Sequence, residues 1–166
     1  MVLHRSAAGV SGGQRSGAVA EGPPEERLVK FWDTSALVPL FIREQRSSEV
    51  RRVIAADPNV AVSFITIIEV RATAARRLTI GHAVAAVRDP DEFITELERV
   101  WTVADEYRAI VDEARHMIEL HALRAADAVQ LASAIVLCRN RPKLPFVTLD
   151  EDLAAAARLE GFPTLP

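Results

Sequence analysis

The stretch Leu28-Val29-Lys30-Phe31-Trp32-Asp33 decides how the rest of the sequence is read. A short apolar and aromatic run that stops at an acid has the pattern of a buried strand with a carboxylate at its carboxyl end. Working outward, helical patterns cover residues 35–42 and 44–56, and the β-branched run Val60-Ala61-Val62-Ser63 reads as a second strand. Helices at about 66–78 and 90–99 precede a short strand, Trp101-Thr102-Val103. Two more helices are expected at about 106–120 and 125–139, then a strand, Pro145-Phe146-Val147-Thr148. A helix at about 151–160 stops at Gly161, a C-cap signal, and a last short strand is expected at 163–165. Strands this short, separated by helices, define an α/β fold: a parallel sheet of four to five strands with helices on both faces. In such folds sites form outside the carboxyl ends of the strands.

The segment upstream differs. Five of the seven glycines fall within residues 1–26, and Pro23-Pro24 closes the stretch. With so little to bury, residues 1–26 are expected to be a disordered extension or the product of a start assigned too far upstream, with Val29 the alternative start. Residues 28–166 form the folded domain, and 166 residues in all fit one domain.

Apolar residues make up 49% of the chain and charged residues 26%, the balance of a water-soluble globular protein. No apolar run approaches the roughly 18 residues of a membrane span, and a compact secretory apolar stretch is missing from the start. The one cysteine, Cys138, excludes an internal disulfide and fits a reducing cytoplasm. A net charge of −3 gives no global pull on nucleic acid, so a polyanion must be held by local patches or by metal. Of the 20 basic residues only Lys30 and Lys143 are lysines, a bias that genome composition explains.

Asp33 and Asp150 each follow a predicted strand, so both emerge at the carboxyl edge of the sheet. Glu69 falls in the first turn of the helix after the second strand. Asp127 opens another helix among Ala125, Ala126, Ala128 and Val129, company in which a carboxylate needs a partner or a metal. Each acid has an ordinary structural duty open to it. Asp33, Asp127 and Asp150 are candidate helix N-caps, and Thr66-Ile67-Ile68-Glu69 has the form of a capping box. Those duties are compatible with chemistry but leave the arrival of four acids at one edge unexplained. Four converging carboxylates raise one another's pKa unless a cation neutralises them. Oxygen-only ligation suits Mg2+ or Mn2+, ions that activate water and hold charge in phosphoryl transfer.

The motifs themselves resemble a known family. Phe31-Trp-Asp33-Thr-Ser-Ala-Leu-Val38 looks like the opening strand and first acidic motif of PIN-domain nucleases, and Glu69 in Ser63-Phe-Ile-Thr-Ile-Ile-Glu69 like their second. Leu123-Arg-Ala-Ala-Asp127-Ala-Val-Gln-Leu-Ala-Ser-Ala134 is similar to the third motif, and Phe146-Val-Thr148-Leu-Asp150-Glu-Asp152-Leu153 to the fourth. Within the family the likeness is to VapC-type toxins. It implies a PIN-like three-layer fold and a cytoplasmic, Mg2+-dependent endoribonuclease, with Mn2+ as substitute, acting on tRNA, rRNA or mRNA. It further implies a homodimer restrained by a small VapB-type antitoxin. Asp33, Glu69, Asp127 and Asp150 would be the catalytic acids, Asp33, Asp127 and Asp150 the metal ligands, and Thr148 a supporting hydroxyl. Asp152 competes with Asp150 for the fourth place, although a first-turn acid is also expected there for dipole reasons.

Rival chemistries fit less well. A haloacid-dehalogenase-type phosphatase needs a second Asp two residues after the first, where Ser35 stands. His4, His82, His116 and His121 make no ligand-spaced pair for zinc, and Cys138 lacks a base and reads as a small core residue. No glycine-rich phosphate loop is present. A catalytically silent PIN-like binding module, and a nuclease acting on DNA, are the remaining alternatives.

Overall fold

The computed structural model describes residues 29–79 and 89–166. The expected N-terminal extension, His4 and His82 lie outside them. The elements run β1 (Lys30–Trp32), α1 (Thr34–Phe41), α2 (Ser47–Ala56), β2 (Val60–Ser63), α3 (Thr66–Thr79), α4 (Pro90–Val100), β3 (Thr102–Ala104), α5 (Tyr107–His121), α6 (Ala125–Leu137), β4 (Phe146–Val147), α7 (Glu151–Leu159) and β5 (Thr164–Leu165). All neighbouring strands pair in parallel, in the order β3-β2-β1-β4-β5. This is the α/β architecture expected from the sequence.

Alternation along the short strands makes the layers. Phe31, Ala61 and Phe146 face one way and pack with Ile110 and Met117 of α5, Leu131 of α6 and Leu153 of α7. Trp32, Val60, Val62 and Val147 face the other way and pack with Ala36 and Leu37 of α1 and Val50 of α2. A further cluster joins α1 to α3 and α4 through Val38, Phe41, Val70, Phe93 and Ile94. A strand covered on both sides is apolar at every position, which is why these runs lack a polar face.

The strand order also locates a crevice. From β1 the chain steps outward to β2 and β3, then crosses back through α5 and α6 to β4 and moves outward to β5 on the other side. The direction reverses between β1 and β4, the switch point at which such sheets leave a cleft. Helix α7 is closed by Gly161 (φ +82°). Phe162 N–H donates to Ala157 O and Gly161 N–H to Arg158 O, the paired bonds of a Schellman motif, and Phe162 turns in against Phe146. No single helix among the described residues is long and apolar enough to cross a membrane.

Candidate active site

Asp33 is delivered by β1 and fixed by β4. Its backbone N–H donates to Val147 O at 2.9 Å, continuing the β1–β4 ladder one residue past the strand. Its side chain caps α1, accepting from Ser35 N–H at 3.1 Å and from the Ser35 hydroxyl. Thr148 Oγ1 donates to the same oxygen, Oδ2, at 3.0 Å. The Ser35 hydroxyl also receives Leu149 N–H at 2.9 Å, so Ser35 ties together the ends of both central strands. Burial pushes the Asp33 carboxyl up to about 6; the hydrogen bonds from Ser35 and Thr148 pull it down and the charge of Glu69 adds to the rise. Oδ1 is the oxygen left for a cation.

Glu69 stands one turn into α3 and does not form the expected capping box. Thr66 is already helical, and Glu69 accepts from side chains instead. Thr34 Oγ1 donates to Glu69 Oε2 at 2.6 Å and Gln130 Nε2 donates to the same atom at 2.7 Å. Gln130 is 1% exposed, and its nitrogen also reaches Thr34 Oγ1 at 2.9 Å and Thr66 Oγ1 at 3.3 Å. Its carbonyl oxygen is buried without a partner. Turning the amide over would set that oxygen against the Glu69 carboxylate, so the orphan carbonyl is the lesser cost, about 1–3 kcal/mol.

Asp127 is not the cap of α6; that position belongs to Arg124, and Asp127 lies three residues in. Burial raises the Asp127 pKa, and the charges of Asp150, Glu69 and Asp152 raise it further against the opposing pull of Arg124. Asp127 thus lies within electrostatic reach of Asp150 and Glu69, and Asp33 within reach of Glu69. Asp150 does cap α7, accepting Leu153 N–H at 2.9 Å, and its own N–H donates to Thr148 Oγ1 at 3.1 Å. Asp150 and Asp152 stand between two recesses. One, of about 340 Å³, also has Asp127, Arg124 and His121 on its walls. The other, of about 520 Å³, has Arg46 and Arg158.

No three of His, Cys, Asp and Glu among the described residues stand close enough to form a ready metal cage. The donor set still fits Mg2+, which keeps several waters and is usually held through one or two carboxylates. Raised pKa values on Asp33 and Asp127 are what a cation would relieve. Elsewhere, His121 is bonded to Glu160 at 2.8 Å, His116 is exposed and Cys138 is buried in the core, so none offers a zinc or thiol site. Thr34, Ser35, Arg124 and Gln130 were not singled out by sequence reading. Thr34 and Ser35 lie within the first acidic motif and Arg124 and Gln130 within the third, which is the local signal they carry.

Comparison with known proteins agrees. A family model described as the PIN domain matches residues 30–159. Among solved structures the chain is similar to a toxin–antitoxin complex from Klebsiella pneumoniae, with 23% identity and a TM-score of 0.55, over 75% of this chain and 90% of that one. It is also similar to VapC20 of Mycobacterium tuberculosis, a sarcin-ricin loop cleaving toxin, with 19% identity and a TM-score of 0.57, over 83% and 99% of the two chains. Curated protein sequences give no match. At these identities the structural likeness speaks for the fold, and the family model, spanning most of the sequence, for its descent: the chain belongs to the PIN-domain family.

Proposed function

We propose that this chain is a divalent-metal-dependent endoribonuclease and the toxin of a toxin–antitoxin pair, with Mg2+ as its ion. The observation that supports this most is the placing of Asp33 and Asp150 at the ends of the two central strands, with Asp127 within electrostatic reach of Asp150 and Glu69, and Asp33 within reach of Glu69. Asp33 and Asp127 would hold the ion, assisted by Asp150. When bound, it supplies charge neutralisation at the phosphate and a more acidic water.

The chain's own groups divide the remaining work. Ser35 and Thr148 hold Asp33 by one oxygen, so the other keeps a fixed direction. Thr34 and Gln130 do the same for Glu69, both donating to Oε2. Asp150, held by Leu153 N–H and within electrostatic reach of Asp127, would take the proton of the attacking water while the leaving oxygen departs with a proton from solvent. Arg158 and Arg46, the latter paired with Glu49, line the second recess and would face a flanking phosphate there.

A toxin role is supported by the two similar structures, one a toxin–antitoxin complex and the other a toxin that cleaves the sarcin-ricin loop. A pocket of carboxylates suits an inhibitor that inserts an arginine, with bidentate pairing available. Homodimer formation and a cytoplasmic setting rest on the family resemblance. The deciding test incubates the chain with structured RNA and with DNA of the same sequence, in Mg2+, Mn2+ and EDTA. Cutting of RNA that stops in EDTA is expected. Preference for DNA would change the substrate, and cutting of neither by a chain that still binds a protein partner would make it a silent binding module.

A further inference from the structure

The recess of about 340 Å³ beside the acids has a mixed lining. Asp127, Asp150 and Asp152 supply carboxylates, and Leu123 from the α5–α6 turn with Ala155 and Leu159 from α7 supply apolar surface. Asp152, Ala155 and Leu159 share one face of α7. Leu159 is 77% exposed, a large apolar side chain left at the mouth. Arg124 and His121 supply the polar groups. The imidazole is held at Nε2 by Glu160 at 2.8 Å.

We propose that this recess receives the unpaired base of the nucleotide adjoining the phosphate held by the acids, and that it sets the base preference of cleavage; this rests on the nuclease reading above. Its volume lies at the lower end of the roughly 300–1,000 Å³ of small-ligand sites, room for one base and its sugar but not for a duplex. The three aspartates disfavour a second phosphate, whereas the apolar side chains beside them suit the flat face of a base. An arginine plane and an imidazole are groups on which unstacked bases pack and hydrogen-bond. A base reaches the recess only by leaving its stack, so loops and single strands are the substrates.

The test uses the full chain in Mg2+. The amide resonances of Leu123, Ala155 and Leu159 are followed while each of the four nucleoside 5′-monophosphates, and inorganic phosphate as control, is titrated in. In parallel, cleavage of an RNA randomised around the cut site is sequenced for wild type and for Ala155→Trp, which fills the recess from an exposed position. The proposal expects saturable shifts with the nucleotides and not with phosphate, with affinities that differ among the bases. It also expects a preference of about tenfold at one position beside the cut, flattened to about twofold by Ala155→Trp. RNA cleavage with no base-dependent shift at these residues, or with the same preference in Ala155→Trp, overturns the pocket and leaves the nuclease reading standing. Base-dependent binding here without cleavage of any RNA overturns the nuclease reading and supports the recess as a base site.

Discussion

Gln130 Nε2 lies 2.7 Å from Glu69 Oε2, and the two residues are 61 positions apart in the sequence. The amide sacrifices its own carbonyl, which is buried unpaired, to keep both hydrogens on Thr34 and Glu69. That arrangement fixes the direction of the Glu69 carboxylate. Gln130→Met keeps the bulk and removes the donors, so cleavage should fall by about tenfold or more as the carboxylate loses its fixed direction. Gln130→Glu sets acceptor oxygens against Glu69 where a donor stood, so cleavage should fall at least as far. Both variants cutting at the wild-type rate would reduce Gln130 to a packing residue.

Asp33 carries a stability signature that needs no substrate. Its carboxyl stands at about 6 in the fold against an ordinary 3.8, chiefly because of burial. The folded value is the higher one, so ionising Asp33 costs stability as pH climbs from 3.8 to about 6. In EDTA, Asp33→Asn should match wild type near pH 4 and gain on it through that window. The gap should reach at most about 3 kcal/mol at neutral pH. Mg2+ should close it by stabilising wild type, by about 2.7 kcal/mol at a hundredfold excess over its dissociation constant. Urea melts at pH 4 and pH 7 that show a constant difference would contradict the raised pKa.

Asp150 is both a cap and a charge, and two substitutions separate the roles. Asp150→Asn keeps an acceptor for Leu153 N–H, whereas Asp150→Ala loses it, at a cost of about 1 kcal/mol. Both should lower the pKa of Asp127, since Asp150 is the strongest charge acting on it, and both should weaken Mg2+ binding. Asp152 acts on Asp127 more weakly, and Asp152→Asn should change both properties less. Calorimetric titration with Mg2+ checks this. A larger loss of affinity in Asp152→Asn would transfer the fourth role to Asp152.

The pattern of strands and helices was legible because the central strands are largely apolar and aromatic runs and several helices are punctuated. Asp33, Gly161 and Asp150 mark boundaries that the structure also has. Two of the capping alternatives do not hold. Asp127 sits three residues into α6, because that helix begins right after Arg124 without a side-chain cap. Glu69 turns away from its own backbone, because Thr34 and Gln130 offer it better donors. Gln130 was invisible as a site residue: its partner Thr34 is 96 positions away, and only the docking of α6 against α1 and α3 brings them together. Local pattern reports what a residue does for its own helix and is silent about such meetings.

A control of the fold itself is Gly161, whose φ of +82° closes α7. No atom stands within 4 Å of where a Cβ would go, so Gly161→Ala is strained only by backbone conformation. It should cost about 1–2 kcal/mol in thermal or urea unfolding and leave the cleavage rate unchanged. A neutral effect on stability would mean that the turn relaxes into another conformation.

The central claim is that these acids cut RNA with a divalent ion, and the most direct measurement is cleavage of an end-labelled structured RNA. Wild type, Asp33→Ala and Asp127→Ala, purified side by side, are compared in Mg2+ and in EDTA. Wild type should cut in Mg2+ and stop in EDTA, and each variant should lose about a hundredfold or more, as removal of a key electrostatic group does. Robust cutting by either alanine variant, or by wild type in EDTA, would contradict the assignment.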